Sequence, residues 1–234
     1  MLFAKKLHSG MDEYLPPEKF IGKTVSRRTL SAALNNVLRP HSARARVVLD
    51  KSKKKVTRVG PSICSNICLL SGWFDSTQDL EVPLQITIHV TQPDGNLSFT
   101  KARFDDFRYK LSRIAQHEAI HRKQFAHYTE DDKRTIKIAH SPRVGKRRLE
   151  WISYLNDWWE VEAYAHDIAM DIARFYPSKD PVTVIKQIDN HRKLPSYNLY
   201  RWTYKGTDWD PLRKSLLQKA WKCSSSVVLP NLTD

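Results

Sequence analysis

Apolar positions along the chain change their period twice. Near the N-terminus, "VSRRTLSAALNNVLRPH" places Leu30, Ala33, Leu34, Val37 and Leu38 at helical spacing, which predicts a short amphipathic helix ended by Pro40. "ARVVLDKSKKKVTRVG" reads as two short strands around a basic turn. In "LEVPLQITIHVTQPDGN", Leu84, Ile86, Ile88 and Val90 alternate with polar residues, and Pro83 at the start of this strand suggests an edge position. From Lys101 to Tyr128 there is no Gly or Pro, and Phe104, Phe107, Leu111, Ile114 and Phe125 recur at helical spacing. A second run without Gly or Pro, Arg148 to Phe175, predicts another long helix that stops before Pro177. Shorter helices fit "DPVTVIKQIDNH" and "DPLRKSLLQKAWK", the latter with Asp210 as cap and Pro211 at its first position. Strands followed by segregated helices make an α+β arrangement rather than repeated βαβ units.

The chain has 234 residues, 41% hydrophobic and 27% charged, a composition suited to one sizeable domain with or without an extension. It has no long apolar run and no hydrophobic leader, so the expectation is a protein without a membrane span or secretory signal. Cys64, Cys68 and Cys223 are too few for a disulfide framework and suit a reducing compartment. Cys64 and Cys68, four apart, could share one helical face as small buried residues. The formal charge is +14, and residues 1–60 carry fourteen Lys/Arg against four acids. Such a segment attracts polyanions, so nucleic acid or an acidic partner protein could meet Lys51, Lys53, Lys54, Lys55 and Arg58. The domain expectation is a basic segment over 1–60, a main domain over 61–222 and a loose tail over 223–234.

Within the first long helix stands "HEAIH", His117 to His121. Residues i and i+4 lie one turn apart on one face, so both imidazoles can reach a single metal. Glu118 is rotated away from them and is placed to take a proton from water and pass it to a leaving amine. A metal there would lower the pKa of water and polarise a scissile carbonyl. A catalytic site needs a third protein ligand. His127, ten residues after His117, has the spacing found in metzincins, but Gln124 stands where a glycine would turn the chain, and Met170 lies in a predicted helix rather than a Met-turn. The other candidate is an acidic residue from "WWEVEAYAHDIAMDIARF" on the next long helix, where Glu160 and Glu162 point about 200° apart.

H-E-x-x-H followed by a helix reading E-x-E-A-x-A resembles zinc peptidases of the gluzincin type, and is most similar to small zincin-like proteins encoded by tailed phages. The resemblance covers roughly residues 80–220, with its specific motifs in 117–125 and 160–169. It implies a zincin-like α+β fold: a small mixed sheet with an edge strand, the H-E-x-x-H helix, a second ligand-bearing helix and a helical C-terminal part. It also implies Zn2+ held by His117, His121 and Glu160, Glu118 as the base, and a protein or peptide substrate. Where such proteins often carry an aspartate four residues after the ligand glutamate, supporting a histidine ring, this chain has Tyr164; Asp167, on the same face, could serve instead. An oxyanion donor is expected from the C-terminal part, where His191, Tyr197, Tyr200 and Tyr204 are candidates and the spacing selects none. The tryptophans of this half read as packing residues. The implied location is the cytoplasm of a bacterial host or a phage particle. The alternative function is a catalytically silent zincin-like virion protein whose basic N-terminal part touches nucleic acid or another virion protein.

Overall fold

The structure, a computed structural model, describes residues 2–49, 67–73, 84–90, 96–127 and 148–231. It is mixed α+β and mostly helical. Two compact units divide the chain between Arg122 and Lys123, inside one continuous helix.

The first unit comprises residues 1–122 with the end of the chain, Leu229–Asp234. It opens with α1 (Leu2–Tyr14), which the sequence reading passed over, and the short α2 (Pro17–Phe20). β1 (Thr24–Ser26) pairs antiparallel with β5 (Asn96–Ser98). α3 (Arg27–Leu38) follows where expected. The Ser26 hydroxyl caps α3 by accepting from the Thr29 N–H at 3.1 Å, an interaction worth about 1 kcal/mol. Arg39–His41 forms one 3-10 turn, closed by Ser42 at φ 50°.

The larger sheet has the order β2 (Ala43–Leu49), β4 (Leu84–Val90), β3 (Ile67–Trp73). β2 runs parallel to β4 and β3 antiparallel to it, so the sheet is mixed. Leu84–Val90 is therefore the central strand, not the expected edge. The N–H of Leu84, its first residue, donates to Ser42 O at 2.9 Å. Ala43, Ala45, Leu84, Ile86 and Ile88 turn inward with Leu30 and Leu34 of α3 and Phe104, Phe107 and Leu111 of α4 (Lys101–Ala126) to form one core. Cys68 lies in a strand, β3; Cys64, the second strand expected after Asp50, and Lys51, Lys53, Lys54, Lys55 and Arg58 lie outside the described residues.

The second unit comprises residues 123–228. The run expected as one helix from Arg148 to Phe175 is two: α5 (Arg148–Asn156) and α6 (Trp158–Phe175). The break is at Asp157, whose extended backbone (φ −64°, ψ 131°) no longer continues the helix. α7 (Pro181–Lys186), capped by Asp180, passes into a 3-10 turn at Ile188–Asn190, so the expected shorter helix is split as well. α8 (Pro195–Thr203) and α9 (Asp210–Ser224) complete the unit. Asp210 is the first residue of α9 rather than its cap, and the helix continues beyond the expected boundary at 222 to Ser224. Val161, Ala165, Ile168 and Ile172 of α6 share a core with Tyr197 and Tyr200 of α8 and Leu216 and Ala220 of α9.

Candidate metal centre

α4 is 26 residues long, and its first turns are anchored by the aromatic core: Phe104 stacks on Phe20 at 5.5 Å and meets Phe99 edge-on at 5.6 Å. Further along its inner face, Ser112 accepts from Gln116 Nε2 at 2.9 Å and shares a 2.6 Å hydrogen bond with His8 Nε2 of α1. Burial, then the nearby Arg108 guanidinium, push the His8 imidazole down from 6.5 to about 4. Arg108 itself is buried and paired with Asp12. These contacts fix the rotation of α4 and so decide where its other face points.

That other face carries His117 and His121. Their Nε2 atoms are 3.1 Å apart, with the rings edge-on at 4.8 Å. Two nitrogens bound tetrahedrally to one metal at about 2.0–2.1 Å would lie roughly 3.3 Å apart, so the pair already has the spacing of a chelate. Ligand atoms of His117, His121 and Glu160 all lie within 4.8 Å of one another, and His117 and Glu160 are buried while His121 is half-buried. Two imidazoles and one carboxylate supply three donors with a single negative charge, a set that fits a divalent metal and leaves a coordination position open. Among the described residues no other group of three His, Cys, Asp or Glu has this spacing.

The remaining expected residues separate clearly. Glu118 is buried. His127 is exposed, just past the end of α4, and is not in the cluster. Glu162 is engaged elsewhere: its Oε2 accepts from Gln124 Nε2 at 2.9 Å. Tyr164 is half-buried and packs edge-on against Tyr200 at 5.5 Å. Asp167 is buried. Glu160 makes itself felt on its own unit, where burial and then the Glu160 charge raise the pKa of Asp157.

The tyrosines considered as oxyanion donors have other partners. Tyr197 donates to Asp189 Oδ1 at 2.7 Å, Tyr200 to Leu155 O at 3.1 Å and Tyr204 to Ile152 O at 3.0 Å. Burial pushes Tyr197 and Tyr204 up to about 12 and Tyr200 well above its usual value. His191 is buried against the Tyr176 ring at 4.4 Å. These side chains hold α8 to α5 and to the turn after α7. Gln124, which in sequence stands only where a metzincin has glycine, is in the fold a buried amide whose signal is a polar residue beside the apolar Phe125 in the last turn of the helix.

No helix among the described residues is long and apolar enough to cross a membrane. Comparison with family models, curated proteins and solved structures returns no match.

Proposed function

We propose that the protein is a zinc-dependent peptidase. The observation that carries this reading is the meeting of His117, His121 and Glu160 ligand atoms within 4.8 Å, from residues whose sequence pattern pairs an H-E-x-x-H helix with a following glutamate helix. His117, His121 and Glu160 would hold the metal, which when bound supplies Lewis-acid polarisation of the scissile carbonyl and of water. Glu118 takes a proton from the water whose oxygen adds to the carbonyl carbon, and delivers it to the amine nitrogen as the C–N bond breaks. Glu118 is buried in α4, adjacent in sequence to the ligand His117. The substrate would be a protein or peptide.

The test is hydrolysis of a mixed fluorogenic peptide library by the zinc-loaded wild type and by Glu118→Gln. Hydrolysis by the wild type, lost in a variant that keeps its zinc, supports the reading; wild-type zinc loading with no hydrolysis of any peptide rejects it. That second result is what a catalytically silent zincin-like protein predicts. This second reading is favoured by the nine Lys/Arg of residues 2–49, Lys5, Lys6, Lys19, Lys23, Arg27, Arg28, Arg39, Arg44 and Arg46, all of which are exposed and so open to nucleic acid or an acidic partner. The link to phage particles and a bacterial host comes from the sequence resemblance.

A further inference from the structure

We infer that Gln124 is a positioning residue that selects which glutamate of α6 is presented as a metal ligand; this rests on the metal-dependent reading above. Gln124 lies in the last turn of α4, in the second unit, and is buried. Its Nε2 donates twice to α6, to Glu162 Oε2 at 2.9 Å and to the Trp159 carbonyl at 3.3 Å. The two acceptors belong to residues three apart, which share one side of a helix, and they flank Glu160 in sequence.

One amide thus grips the first turn of α6 at two points on a single side. Glu160 is 100° around the helix from Trp159 and 200° from Glu162, so the grip defines its direction. The precision matters. A side-chain group at the rim of a helix is about 5–6 Å from the axis, so a 20° rotation displaces it by about 2 Å, the length of a metal–ligand bond. Gln124 also occupies the Glu162 carboxylate, the competing acid on the same turn. A neutral amide suits both tasks, since it donates both to a carboxylate and to a backbone carbonyl without adding charge near the ligands. Glycine at this position would end the helix and lose the grip.

The experiment measures zinc affinity of the full-length chain by competition with a chromogenic chelator, together with thermal unfolding by far-UV circular dichroism. The variants are Gln124→Ala, Gln124→Glu, Glu162→Gln and the exchange Gln124→Glu/Glu162→Gln. Gln124→Ala should bind zinc about 10-fold more weakly, the scale of losing a residue that orients a ligand. Gln124→Glu should be worse, because it opposes two carboxylates. Glu162→Gln keeps an amide acceptor for Gln124 and should bind within about 3-fold of wild type, and the exchange should recover most of the affinity lost in Gln124→Glu. The readout holds even if Gln124→Ala unfolds, because the exchange restores the amide–carboxylate pair that Gln124→Glu lacks, and thermal unfolding shows that both are folded. Wild-type zinc binding with Gln124→Ala equal to it, or an exchange no better than Gln124→Glu, overturns this inference alone. A wild type that binds no zinc overturns the metal reading as well.

Discussion

His8 gives the most quantitative prediction. It lies on α1, nearly excluded from solvent, and shares a 2.6 Å hydrogen bond with Ser112 on α4, five residues before His117. In the unfolded chain its imidazole titrates near 6.5, whereas in the fold burial and the Arg108 guanidinium hold it near 4, with the more exposed Asp12 charge opposing them. The unfolded chain therefore binds the proton first as pH falls. The contribution of His8 to stability is complete above pH 6.5, declines from there toward pH 4, and does not change further below that. The full shift corresponds to about 3 kcal/mol at most, of which roughly 2 kcal/mol is expressed between pH 7.5 and pH 4.5. Urea unfolding of wild type and His8→Gln, followed by circular dichroism between pH 7.5 and pH 4.5, isolates this residue from the other titrating groups. The stability difference between the two proteins should shift by about 2 kcal/mol against wild type on going to the acid end. A difference independent of pH would refute the assignment of a buried neutral imidazole bracing α4.

Tyr200→Phe should cost about 1 kcal/mol of stability, because it removes only the hydrogen bond to the Leu155 carbonyl, and should leave peptide hydrolysis unchanged; a selective fall in kcat would make this hydroxyl part of the chemistry after all. Glu118→Gln, the variant used to test the proposed activity, should lower kcat about 10²–10⁴-fold with zinc content retained, the usual range for removing a general base, and a smaller fall would assign the proton transfer to another group.

The elements that sequence located well are those whose local and tertiary preferences agree. α3 has both its apolar stripe and the Ser26 cap, and α4 has an apolar stripe of which the core of the first unit uses Phe104, Phe107, Leu111 and Ile114. Elements decided by other parts of the chain were less legible. Leu84–Val90 alternates as an edge strand would, yet takes partners on both sides, and only long-range pairing with Ala43–Leu49 and Ile67–Trp73 makes it central. α1 has Leu7 and Met11 at helical spacing, but the weak helix formers Ser9 and Gly10 between them mask the helix in the sequence. The break at Asp157 had no Gly or Pro to mark it. It matters to the site, since it makes Glu160 a first-turn residue of α6.

At the candidate centre, His117 and His121 were legible because an i, i+4 pair needs only a helix to become a chelate. The choice between Glu160 and Glu162 needs the phase of α6, which is set by a contact from Gln124 that no periodicity encodes. The C-terminal tyrosines show the converse: their residue type suited an oxyanion donor, but their hydroxyls are used by backbone carbonyls and Asp189.

The most direct test of the account is zinc stoichiometry, measured by mass spectrometry of metal-reconstituted full-length protein, in wild type, Glu160→Ala and His127→Ala. The account predicts one zinc per chain in wild type and in His127→Ala, and a loss of tight binding in Glu160→Ala, because His117, His121 and Glu160 converge while His127 stands exposed beyond the helix. Full zinc occupancy in Glu160→Ala, or its loss in His127→Ala, would contradict the assigned ligand set, and a wild type that takes up no zinc would contradict the centre itself.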